Sequence, residues 1–148
     1  MAGNRIDRTP TWLLSRANAR AQAIRLDAFA AAGASGYLTR VLASLADEGV
    51  ASQIELSRRT GIDPSDVVAA VNQLAARRFI TRQRDPHDAR RNLVTLTPAG
   101  HAELARLDAV VAEIQNRFLA PLSESERRQL HRILTKLAGD RESGPSAR

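Results

Sequence analysis

The sequence predicts a mainly α-helical fold carrying one small two-stranded β element. Three observations predict it. First, helix punctuation recurs along the chain. Thr9-Pro10, Asp63-Pro64 and Thr97-Pro98 each pair a capping side chain with proline at the first helical position, and Ser52–Glu55 and Ser123–Glu126 read as capping boxes. Second, the stretches that follow these signals place apolar residues at helical spacing. Third, only residues 79–84 and 93–97 alternate apolar with polar in the manner of strands. A length of 148 residues fits one domain with an appendage.

The first helix opens at Thr9-Pro10, runs through an alanine-rich stretch to Ala32 and stops at Gly33. A shorter one spans about Gly36 to Asp47, with Leu38, Val41, Leu42 and Leu45 on one face. The capping box at Ser52 starts a helix of about two turns, closed by Thr60-Gly61. Asp63 then caps the next helix, which starts at Pro64 and turns Val67, Ala70, Val71 and Leu74 inward. Phe79–Arg84 and Leu93–Thr97 read as strands joined by the polar connector Asp85–Asn92. A long helix runs from Pro98 to about Leu119, and Pro121 breaks it. The last helix carries Leu130, Ile133, Leu134 and Leu137 and stops at Gly139. Residues 1–8 and 139–148 read as loose tails.

Composition excludes several classes. With 43% hydrophobic and 26% charged residues, the chain reads as a soluble globular protein, expected in the cytoplasm. No apolar run reaches the roughly 18 residues that a membrane span needs, and no signal-peptide pattern opens the chain. There is no cysteine, so disulfides, thiolate metal sites and thiol catalysis are absent. His87, His101 and His131 pair with no carboxylate at metal spacing. No serine elbow or phosphate-cradling glycine loop occurs, so neither an enzyme nor a cofactor is expected.

The net charge is +6, and its focus is local: residues 77–92 hold six arginines against two aspartates. That focus points to a polyanion, most simply nucleic acid. It follows two short helices joined by a glycine-containing turn, the spacing of a helix-turn-helix. Two strands with a basic loop directly after such a pair describe a winged helix-turn-helix over residues 36–97. In that arrangement the second helix enters the major groove of double-stranded DNA. Its outward candidates are Pro64, Ser65, Asp66, Val68, Ala69, Asn72 and Gln73. Asn and Gln match adenine, Ser is permissive, and Val68 and Ala69 suit thymine methyls. The plainer alternative has Asp66 completing the cap, with Asn72 and Gln73 simply solvated. Ser52 and Gln53 at a helix N-terminus, with Arg58, Arg59, Arg77 and Arg78, are candidates for phosphate. At the loop tip, Arg90 and Arg91 are candidates for the minor groove, with Asp88 placed to orient Arg90.

These residues resemble those of MarR-type bacterial transcriptional regulators. The likeness rests on Gly61-Ile62-Asp63-Pro64-Ser65 leading to Leu74, then Phe79-Ile80. It continues in Asp88-x-Arg90-x-x-x-Val94-x-Leu96-Thr97-x-x-Gly100, and covers about Thr9 to Ala138. The resemblance implies a homodimer on a pseudo-palindromic operator, usually a repressor, released by a small molecule. It implies that Asp88 braces the wing and that Arg90 probes the minor groove. The family commonly carries an arginine where this chain has Ala69, which moves weight to Ser65 and Asn72.

Residues 9–33 and 98–138 carry longer apolar stripes than a small winged helix can cover, so a helical dimerisation region is expected there. A small organic ligand, such as an aromatic carboxylate, would suit Trp12, Leu13, Arg16, Tyr37 and Arg40 where the two regions meet. The alternative for Trp12 and Tyr37 is packing at the dimer contact. The competing function is an architectural DNA-binding protein with little sequence preference.

Overall fold

The computed structural model describes residues 4–139. Six α-helices and three short strands follow in the order α1 (Pro10–Ala31), α2 (Gly36–Glu48), β1 (Ala51–Ser52), α3 (Gln53–Thr60), α4 (Pro64–Ala76), β2 (Ile80–Arg84), β3 (Asn92–Leu96), α5 (Pro98–Leu119) and α6 (Glu124–Ala138). Every helix read from the sequence is present, with ends within two residues of the expected ones. No helix among the described residues is long and apolar enough to cross a membrane.

Two expectations need correction. The sheet has three strands, in the order β1-β3-β2, all antiparallel. Ala51 pairs with Val94 and Ser52 with Leu93, so β3 lies between two partners. A two-residue strand shows no alternation, which is why the sequence pattern missed it. The second correction concerns the N-terminal tail. Arg5–Arg8 forms a turn of 3-10 helix, in which Asn4 and Asp7 cap one another. The C-terminal tail from residue 140 lies outside the described residues.

The main core joins α2, α3, α4, the sheet and the first half of α5. Val41, Leu42, Leu56, Val67, Val71 and Val94 are fully enclosed. Val67, Ala70, Val71 and Leu74 form the buried face of α4, as their spacing predicts. A smaller cluster of Ala28, Phe29 and Ile114 fastens the end of α1 to α5. Beyond it the helical ends are sparsely covered, and α6 buries no residue at all.

The turn between α3 and α4 satisfies its own polar groups. Gly61 sits at φ +69°, a left-handed conformation that suits glycine. The Thr60 hydroxyl donates to the Leu56 carbonyl at 2.6 Å, and the Ser57 hydroxyl donates to the Ile62 carbonyl at 2.6 Å. Gly100 allows α5 to start against the sheet. A Cβ there would lie 2.6 Å from Leu96 Cδ1 and nearer still to the Phe79 carbonyl oxygen.

Candidate nucleic-acid interface

Helix α4 is held from one side only, and this fixes what its other side offers. With Val67, Ala70, Val71 and Leu74 buried, Pro64, Ser65, Val68, Ala69, Asn72 and Gln73 are exposed together, and Asp66 is half-buried. The N-terminal end is rigid. Asp63 accepts from the Ser65 hydroxyl at 2.6 Å and from the Ser65 backbone N–H at 2.9 Å, which together hold its carboxyl below the usual range. Asn72 is not merely solvated: its Oδ1 accepts from Arg82 Nη1 of β2 at 2.7 Å.

The wing is braced from within. Asp88 Oδ1 accepts from the Arg90 backbone N–H at 3.0 Å and from its Nε at 3.3 Å. The Arg90 side chain is 92% exposed, so an oriented guanidinium stands at the loop tip. Arg91 points elsewhere. Its Nη2 donates to Glu55 Oε1 at 3.1 Å, and its Nε lies 3.8 Å from Asp85. Arg91 thus ties the wing to the start of α3, and the structure does not bring it to the tip beside Arg90.

At that helix start, Ser52 and Glu55 form the expected capping box, with Glu55 Oε2 accepting from Ser52 N at 2.7 Å. The Ser52 backbone N–H, and then Arg91, keep the Glu55 carboxyl below its ordinary range. Ser52 is buried and Gln53 half-buried beside it.

The flanking arginines divide into two kinds. Arg58 and Arg78 are exposed and make no ion pair among the described residues. Arg59 instead binds the Gly49 carbonyl at 3.0 Å and lies 3.6 Å from Glu48. Arg77 donates to the Gly33 carbonyl at 3.3 Å, lies 3.8 Å from Glu103 and stacks 4.8 Å above Phe79. Arg59 and Arg77 are therefore engaged in holding the fold.

Glu103 is the centre of that second arrangement. It takes two hydrogen bonds from Arg106, at 3.0 and 2.7 Å, and Arg106 also donates to the Ala32 carbonyl at 3.0 Å. The end of α4, the turn after α1 and helix α5 are thereby joined through one carboxylate. The Arg106 bonds hold Glu103 below its ordinary range.

The turn after α1 also borders a groove of about 880 Å3 between α1, α2 and α5. Tyr37 and Arg40 line it, with Arg25, Phe29 and Gln115. Arg25 Nε is buried beside it without a hydrogen-bond partner among the described residues. Trp12, Leu13 and Arg16 do not reach this groove. They lie in the first turns of α1, where a rise of about 1.5 Å per residue separates Trp12 from Arg25 by roughly 20 Å.

Sequence reasoning missed Arg25, Arg82 and Glu103. Each belongs to a common residue type on an ordinary helix or strand. Only the approach of distant segments gives it a partner or a buried position.

An exposed helix after a tight turn, beside a hairpin tipped with a braced arginine, defines a winged helix-turn-helix of the DNA-binding class. The MarR family model matches residues 39–91. The transcriptional repressor NicR of Pseudomonas putida is 31% identical over 96 residues, which is 65% of this chain and 61% of that protein. A solved structure of a probable transcriptional regulator from Pseudomonas aeruginosa is 36% identical with a TM-score of 0.78, covering 90% of this chain and 99% of that one. Bordetella bronchiseptica BpsR, solved in a study of its regulation by 6-hydroxynicotinic acid, is 28% identical with a TM-score of 0.78, covering 93% and 98%. The chain belongs to the MarR family of transcriptional regulators. It spans less than two thirds of the length of the curated relatives that it matches.

Proposed function

We propose that this chain is a homodimeric, sequence-specific DNA-binding repressor that acts in the cytoplasm. In this reading a small organic anion releases it from a pseudo-palindromic operator. The observation that carries the reading is the pairing of the exposed α4 face with the Arg90 guanidinium braced by Asp88. Helix α4 enters the major groove, and Ser65 and Asn72 lead the contacts to base edges. Arg90 enters the flanking minor groove, where a narrow A·T-rich stretch concentrates negative potential. Arg58 and Arg78 neutralise phosphates, and the half-buried Gln53 at the N-terminus of α3 offers its backbone N–H to another, while the buried Ser52, whose own N–H is bound to Glu55, only caps the helix.

The uncovered apolar side chains of the helical ends support the dimer. Trp12, Leu13, Leu14, Ile133 and Leu137 are all exposed in the single chain. A self-complementary contact through them sets two α4 helices about one DNA turn apart.

The groove between α1, α2 and α5 supports the ligand. Arg25 and Arg40 supply positive charge, Tyr37 and Phe29 supply flat apolar surface, and the buried Arg25 Nε has no acceptor among the described residues. An aromatic carboxylate, of the kind that 6-hydroxynicotinic acid represents for BpsR, satisfies all three.

The test is a fluorescence-anisotropy titration on DNA from upstream of the chain's own gene, with scrambled competitor at physiological salt. Binding that resists a thousandfold excess of competitor, about 10³-fold preference, is the expected result. A preference near one with a steep salt dependence overturns it in favour of an architectural protein.

A further inference from the structure

We infer that Arg82 and Asn72 form one base-reading unit, in which Arg82 dictates the edge that Asn72 shows to DNA. The inference rests on the DNA-reading role proposed above. Asn72 stands on the exposed face of α4, and Arg82 stands in the middle of β2, paired with Val94 of the central strand. Arg82 Nη1 lies 2.7 Å from Asn72 Oδ1, and Arg82 makes no ion pair among the described residues. A guanidinium only donates, so the carboxamide atom facing it is the oxygen. That contact settles the orientation of an amide whose two ends are otherwise interchangeable.

A consequence follows for recognition. With Oδ1 engaged by the strand, the Nδ2 edge is left to face away from it. A two-bond adenine contact needs both edges aimed at one base. A fixed Nδ2 edge offers donors only. Guanine N7 and O6, adenine N7 and thymine O4 accept such a bond, whereas cytosine presents only its own N4 donor in the major groove. The pair therefore rejects cytosine at one position of each half-site. Arg82 does this without touching a base, as a positioning residue.

The experiment is selection of duplexes from a random-sequence library by the full-length chain, with bound sequences counted at every position. The wild-type chain is compared with Arg82→Ala, Asn72→Ala and the double variant. The wild-type chain is expected to disfavour cytosine about fivefold or more at one position per half-site. Arg82→Ala and Asn72→Ala each remove that preference at that same position. The double variant does no more there than Asn72→Ala alone. Unchanged base frequencies for Arg82→Ala overturn the inference and leave the DNA-reading role intact. So does a uniform loss of affinity with a salt slope smaller by about one, which marks a phosphate contact. A wild-type chain that enriches no motif overturns both.

Discussion

The winged half and the helical ends of this molecule obey the same patterning rule and end in opposite states. Helices α2, α3 and α4 each turn an apolar face inward and find it covered by the others and by the sheet. Helix α6 has an equally regular apolar stripe, yet Leu137 remains 71% exposed and no α6 residue is buried. Helix α1 buries only Ala28 and Phe29 of its 22 residues. The difference teaches that amphipathic spacing specifies a face and leaves open what will cover it. One half closes its core within the chain, and the other leaves its apolar stripes uncovered in the single chain.

The largest expected effects lie in the closed half. Leu56→Ala removes a fully enclosed side chain and is expected to cost about 2–5 kcal/mol, read as a lowered denaturation midpoint. Gly100→Ala forces α5 away from the Phe79 carbonyl and is expected to cost about 3 kcal/mol. The same kind of change in the open half behaves differently. Ile133→Asp with Leu137→Asp is expected to halve the sedimenting mass toward the 16.1 kDa of one chain while leaving the helical content nearly unchanged. Loss of the whole fold in that variant would break the comparison.

Smaller effects sharpen it. Arg90→Ala is expected to weaken operator binding about tenfold, most at A·T-rich flanks, with no change in melting temperature. Arg58→Ala is expected to lower the salt slope by about one, whereas Arg59→Ala, removed from its Gly49 and Glu48 contacts, lowers stability and leaves the slope alone.

The smallest effect is on pH dependence. Arg106 holds Glu103 below its ordinary value of 4.5. Its contribution is therefore complete above about that pH and is lost as pH falls through the lowered native value. Glu103→Gln should flatten the decline of melting temperature on the acid side.

The helices were legible because their signals are local. Asp63-Pro64, Thr97-Pro98 and the capping boxes at Ser52 and Ser123 each act within one turn, and the structure forms all four. The outward face of α4 was legible for the same reason, since its periodicity needs no knowledge of the partner. What stayed hidden depends on encounters between distant segments. Ser52 and Ala51 become a strand only because β3 passes beside them. Arg91 looked like a second minor-groove probe until Glu55, 36 residues earlier, took its guanidinium. The groove between α1, α2 and α5 draws on Arg25, where the sequence offered the aromatic Trp12 a few turns earlier.

The most direct test of the account follows a labelled duplex bearing the selected site by sedimentation velocity as the chain is added. Two complete reading heads joined by one shared helical contact predict a single bound species. That species carries two chains per duplex, and no one-chain intermediate precedes it. Stepwise one-chain complexes, formed as readily on a scrambled duplex, would contradict the account.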